Sequence, residues 1–265
     1  MTHARSLIAF NTATESENRI HDDTVASRFG FSGGLVPGVD VFGYLAHMPV
    51  ALWGQDWLAS GALEARFFKP VYDGDEVLTS ASDRPDGGLD LDISARGVSC
   101  AKGSASRISP PAPRVRLLRS ARIAADQRPP ASPSALPIGR VLGTLEETYT
   151  RDDGLQHLHD IREDAALFDD GRIANPAWLL RRCNHVLMET VNLGPWIHVE
   201  SRILLHSLAR DGDAIETRAV VVDNRETKGH LLVELDVQIL SGDRFILSGR
   251  HIAIYEPRQV REGAR

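Results

Sequence analysis

Hydrophobic positions run in two rhythms along this chain. From Gly38 to about Gly54, Val39, Val41, Phe42, Leu45, Ala46, Val50 and Leu52 leave no wide polar face, which predicts a buried helix. Pro49 is expected to end or kink it. Ahead of it, residues 5–12 suit a strand and 14–18 a polar loop. Asp22 or Asp23 can cap a short helix over 24–29, and Gly30, Gly33 and Gly34 then break it. Beyond the long helix the rhythm changes to two. Strands are predicted over 62–71, 76–81, 89–96 and 98–108, with turns at Asp73-Gly74-Asp75 and Asp86-Gly87-Gly88.

The same order returns in the second half. A strand candidate over 140–150 precedes a polar stretch read as loop, containing His157, His159 and Asp160. An apolar helix over 176–191 opens on the cap and first-turn proline Asn175-Pro176. Strands follow over 216–223, 231–240 and 244–255; in the second of these Val233, Leu235, Val237 and Ile239 alternate with other residues. Glu64-Ala-Arg66 is echoed by Glu200-Ser-Arg202, and Asp73-Gly74-Asp75 by Asp211-Gly212-Asp213. One apolar helix per half is hidden only if a curved sheet wraps it. The expected class is α+β: two such units edge to edge, over 1–108 and 138–265. Edge pairing also protects two sheet edges.

Between them, residues 109–137 hold seven of the fourteen prolines, with Arg114, Arg116, Arg119 and Arg122 beside or among them. This reads as a partly extended linker, its arginines either a solvated face or close to an anionic ligand. A chain of 265 residues with net charge −6 favours solubility and argues against nucleic acid as main partner. Cys100 and Cys183 have no metal-ligand spacing and form no disulfide framework, so a reducing cytoplasm is expected. The first residues lack the apolar length of a signal peptide, and no run of about 18 apolar residues predicts a membrane span.

The chemistry-bearing stretch is 18–44. Asn18 and His21 come first, a glycine-rich bend follows, and the long helix begins near Gly38. This places an imidazole beside a helix N-terminus, where backbone N–H groups are unpaired and the dipole is positive. His21 could move a proton there while the Gly38 N–H meets an oxygen gaining negative charge. Plainer roles are a backbone-bonded loop histidine, a capping Asn18 and a close-packed Gly38. Gly33 and Gly34 read as bend glycines, because no Gly-x-Gly-x-x-Gly phosphate fingerprint is present.

Asn18-Arg-Ile-His21-Asp-Asp23, with Gly30-Phe31 and Gly38, resembles the Asp-x-Asn-Pro-x-His motif of the MaoC-like (R)-specific enoyl-CoA hydratases and dehydratases. Phe68-Lys-Pro70-Val71-Tyr-Asp-Gly74-Asp75 is similar to that family's Pro-Val-x-x-Gly-Asp segment. The resemblance implies a double hotdog fold and, as substrate, an acyl thioester of coenzyme A or a carrier protein, with no cofactor and no metal. It implies His21 as the proton-transfer residue, Asn18 as its support and Gly38 as the donor to the thioester oxygen. The family's aspartate falls at Ser16, its proline at Arg19, and its His-Gly at Pro37-Gly38. Glu15 and Glu17 flank Ser16, and a bulge could swing Glu17 in. Substrate-binding candidates are Gly33, Gly34, Pro37, Arg66 and Lys69, the last two for phosphate.

Hydration of a 2-enoyl thioester, or the reverse dehydration, is the leading expectation, placed in fatty acid metabolism. A thioesterase on the same fold and a non-catalytic acyl-binding subunit are the rivals, and fold analogy points to a homodimer. In the second half, His157, His159 and Asp160 sit where His21 sits in the first: polar loop, second acid/base site or metal ligands. Asn184 and His185 either line a pocket between the halves or form a satisfied core pair.

Overall fold

The computed structural model describes residues 1–14 and 18–263, so Glu15, Ser16 and Glu17 lie outside the described residues. The strands are β1 (Thr2–Ile8), β2 (Ala62–Phe67), β3 (Glu76–Asp83), β4 (Leu89–Ala95), β5 (Val98–Ser106), β6 (Leu145–Thr148), β7 (Ile197–Leu205), β8 (Ala214–Thr227), β9 (His230–Ser241) and β10 (Arg244–Glu256). The helices are α1 (Asp23–Arg28), α2 (Gly38–Ser60), α3 (Arg151–Asp160), α4 (Pro176–Met188) and α5 (Arg258–Gly263).

All ten strands join one sheet, in the order β1-β3-β4-β5-β2-β7-β10-β9-β8-β6. Counted inward from either outer edge, each half contributes its first, third, fourth, fifth and second strand, so the repeat in the sequence is a repeat in space. β2 and β7 pair antiparallel at the seam, with Glu64 opposite Arg202 and Arg66 opposite Glu200. The repeated Glu-x-Arg therefore meets its own copy: Arg202 Nε lies 2.9 Å from Glu64 Oε2, and Arg66 Nε 3.8 Å from Glu200 Oε2.

α2 packs on β2–β5, on β7 and on α4. Phe42, Tyr44, Leu45 and Ala46 are fully buried there, as the all-round apolar pattern requires. A Cβ on Gly43 would lie 3.0 Å from Ala177 Cβ, so glycine lets α2 and α4 approach closely. Pro49 does not end the helix. The break falls at Gly54 (φ 62°, ψ −148°), and the helix resumes to Ser60. Pro49 is buried, and its packing offsets the hydrogen bond its missing N–H forfeits.

Two other expectations change. The strand over 140–150 contracts to β6, and the polar stretch after it is not loop but α3, capped by Thr150 Oγ1, which accepts from Asp153 N at 3.2 Å. The residues between the halves form a strap rather than a free linker. Gln238 points away from the face of Val237 and Ile239; its amide accepts from Leu117 N (2.8 Å) and donates to the Val115 carbonyl (3.1 Å). Arg116 pairs with Asp243 at 2.6 Å, Arg119 with Glu146 and Glu216, and Arg122 with Glu189. No helix among the described residues is long and apolar enough to cross a membrane.

Candidate active site

Asn18 leads into a single 3-10 turn, Arg19–His21, and α1 follows with Asp22 as its cap. The His21 Nδ1 lies 2.6 Å from the Leu35 carbonyl oxygen. A carbonyl only accepts, so Nδ1 carries the ring proton and Nε2 is the basic nitrogen. The Asn18 amide Nδ2 lies 3.3 Å from Nε2 and also donates to the Trp196 carbonyl at 3.0 Å. Asn18 Oδ1 accepts from Trp196 N at 3.2 Å. One carboxamide thus ties the histidine loop of the first half to the second half.

Gly33 and Gly34 of the bend brace this turn and line neither cavity described below. Gly34 N donates to Asp23 Oδ1 at 2.6 Å, and a Cβ on Gly34 would collide with the His21 carbonyl. Gly33 sits against the same Asp23 carboxylate. Both glycines therefore shape the loop, and neither is in the lining of those two spaces. The second motif holds the other side of the frame. Val36 N donates to the Val71 carbonyl at 2.9 Å. Asp75 secures the turn below, accepting from Tyr72 N (3.0 Å) and Arg96 Nε (2.6 Å), with Gly74 at φ +74°.

A cavity of about 350 Å³ opens between the halves. Asn18, His21, Pro37 and Gly38 line it, together with Phe67 to Val71 and, from the second half, Asn184 and Trp196 to Val199. Its walls are chiefly apolar, which suits an acyl chain. Lys69 borders it and is exposed. Arg66 does not border it; its guanidinium faces Glu200 on the seam, and most of the side chain is in solvent. α2 starts at this cavity with Pro37 at its cap position and no capping side chain among the described residues, leaving the first N–H groups without helical partners.

A second chamber of about 170 Å³ lies behind His21, lined by Thr12, Ala13, Val39, Arg181, His185 and Met188. Asn18, His21, Pro37, Asn184 and Trp196 line both spaces, forming the partition between them. Arg181 donates to Asp40 Oδ1 at 2.5 Å, and Thr12 Oγ1 to Asp40 Oδ2 at 2.6 Å. Burial lowers the His21 pKa below the ordinary histidine value, against the Leu35 carbonyl and the Asp40 carboxylate, which raise it. Burial, with the Arg182 charge, brings His185 down to about 4. Both rings are neutral near pH 7.

Under the first turn of α2 lies a polar group that the sequence reading missed. His198 Nε2 is 2.8 Å from Ser201 Oγ, which is 2.9 Å from His251 Nδ1, and the two rings stack at 4.4 Å. Burial drives His198 well below its usual range and His251 down to about 3. Residues three apart on a regular strand face opposite ways. The register of β7 on β10 slips between Ile252 and Ala253, and this bulge brings His198 and Ser201 to one face. The available signal was polar residues at core-facing positions of otherwise apolar strands. A Cβ on Gly38 would lie 2.9 Å from His198 Nδ1, so Gly38 is a close-approach glycine as well as the first residue of the helix.

His157 is buried in α3 and His159 is exposed, and neither borders the two spaces. The three potential metal ligands grouped among the described residues, His47, Glu163 and Asp164, lie outside both linings. They are engaged already, His47 with Glu163 at 2.6 Å and Arg5 with Asp164 at 2.8 Å.

No protein-family model and no curated protein matches this chain. Solved structures do. A MaoC-like dehydratase superposes with a TM-score of 0.62 at 12% identity, covering 96% of this chain and 98% of its own. A Mycobacterium tuberculosis protein with a double hotdog fold gives 0.62 at 13%, covering 96% and 95%. A protein described as an oleoyl thioesterase from Lactobacillus plantarum gives 0.54 at 10%, covering 97% of each. The fold of this chain is the double hotdog.

Proposed function

We propose that this chain is an acyl-thioester hydratase, or in reverse a dehydratase, acting on a 2-enoyl thioester of coenzyme A or a carrier protein. One observation carries the reading: a neutral His21, its Nδ1 proton committed to the Leu35 carbonyl, borders an apolar cavity at the uncapped start of α2.

A water replaces the long 3.3 Å Asn18 Nδ2 contact on Nε2, which takes a proton from it as the water oxygen bonds to the β-carbon. The C=C π pair moves toward the thioester, whose oxygen gains negative charge against the Gly38 N–H. The proton on Nε2 is then delivered to the α-carbon, which leaves His21 neutral and the product a 3-hydroxyacyl thioester. Asn18 ties the loop of that ring to the second half, and Pro37 begins the helix that presents the amide. Lys69, exposed at the cavity rim, meets a phosphate of the carrier arm.

Incubation with crotonyl-CoA tests this. Loss of the enoyl absorbance without free thiol is the expected result. Free thiol would establish the thioesterase reading, and tight binding without turnover would establish a non-catalytic binding subunit.

A further inference from the structure

We propose that Asn184, on α4 of the second half, is the positioning residue for the water that His21 activates. This rests on the hydratase reading above. A water that attacks carbon through a lone pair has two O–H groups to place elsewhere. One goes to the base, and the other needs an acceptor that does not itself take the proton.

Among the described residues, five line both the larger cavity and the smaller chamber, and only two of their side chains can fill those roles. Pro37 has no polar side-chain atom. Trp196 offers only an indole N–H, which donates. The Asn18 carboxamide is already engaged by Trp196 and His21. His21 is the base. Asn184 is left, 8% exposed, and its Oδ1 has no hydrogen-bond partner.

A buried carboxamide oxygen left unpaired forfeits its hydration with nothing in return. Asparagine at a buried position midway along α4 also has poor helix propensity. A water shared between Asn184 and His21 Nε2 removes that cost and leaves both its lone pairs free, one of them to face the apolar cavity. The chamber behind, lined by Thr12, Arg181 and His185 beside Ala13, Val39 and Met188, has room for several waters to replace the one consumed. The acyl chain and the water thus reach His21 from opposite sides of one partition, and a carboxamide from the other half completes the site.

The test compares Asn184→Leu and Asn184→Asp with wild type on crotonyl-CoA, with thermal melting and binding of saturated butyryl-CoA as controls. The leucine variant keeps the volume and removes the acceptor; kcat is expected to fall about 100-fold with butyryl-CoA affinity within twofold. The aspartate variant keeps an acceptor, so most of that loss is expected to be recovered. A leucine variant with wild-type kcat, or one whose KM rises while kcat holds, would overturn the assignment. So would an aspartate variant as slow as the leucine one with an unchanged melt. A wild type that hydrates nothing removes the hydratase reading itself and this inference with it, which separates the two failures.

Discussion

His21 is held by atoms from two segments: the Asn18 amide of its own loop and the Leu35 backbone. Because burial lowers its pKa, protonation in the free protein begins below the ordinary histidine value near 6.5. The kcat/KM profile is therefore expected to be flat near neutrality, with a single acid limb below about pH 6.5. His21→Ala is expected to remove that limb and at least 100-fold of the activity; a limb unchanged in the variant would assign it elsewhere. At Gly38 the constraint is space. Gly38→Ala sets a methyl 2.9 Å from His198 Nδ1, against a ring fixed by Ser201 and His251. The expected loss is about 1–3 kcal/mol in urea unfolding; an alanine variant of wild-type stability would show that the ring yields. The motif around His21 was legible in the sequence because its residues are neighbours along the chain. Of its second-half partners, Asn184 was legible only as one of two alternatives, pocket lining or core pair, and Trp196 was not tied to the site; α4 and β7 docking beside α2 puts both in the cavity wall.

The elements explain why two charged candidates differ. Arg66 sits in the seam register opposite Glu200, with most of its side chain in solvent, whereas Lys69 lies past the end of β2 on the cavity rim. Arg66→Ala is expected to change stability by less than about 1 kcal/mol and leave the KM for a coenzyme A thioester within twofold. Lys69→Ala is expected to raise that KM several-fold. The reverse pattern in steady-state kinetics would return the phosphate to Arg66. A firmer ion pair ties α4 to β6: Arg182 Nε and Nη2 meet the two Glu147 oxygens at 3.0 and 2.8 Å, with the guanidinium over the Trp178 ring. Glu147→Leu leaves that nearly buried guanidinium unpaired and is expected to cost about 2–3 kcal/mol, the exposure of Glu147 keeping it below a fully buried pair. Equal denaturant midpoints would refute this. Periodicity located nearly every strand and both long helices. It failed at α3, where the signal is a Thr150 cap on a polar helix rather than an apolar stripe, and at Pro49, where burial outweighed a local helix breaker.

At the scale of the molecule, the buried histidines set the acid limit of stability. His21, His157, His185, His198, His206 and His251 all have lowered pKa values, burial being the first cause in each. Above about pH 6.5 both folded and unfolded forms are neutral at these sites, and they contribute no slope. Below it the unfolded chain binds protons that the folded chain refuses, so stability falls as pH falls. Each group adds up to about 1.4 kcal/mol per pH unit until its own folded pKa is reached, near 4 for His185 and near 3 for His251. Urea midpoints measured from pH 7.5 to 5 are expected to decline steeply below 6.5. A flat profile across that window would show that the rings titrate normally in the folded state.

Local pattern alone determined that this chain makes two similar units, each a buried helix with antiparallel strands, and that a histidine stands before the first helix. Such features follow from periodicity, caps and turns, which act between residues close along the chain. Tertiary structure decided which candidates meet. It placed the repeated Glu-x-Arg segments on one another, gave Arg66 to the seam, and turned the proline-rich linker into a strap. It also put Asn184 in the same cavity wall as His21 and set His198 beneath Gly38. The seam pairs and the approach of His198 to Gly38 join residues about 134 to 160 positions apart, and docking of the two halves, not any local preference, sets their geometry.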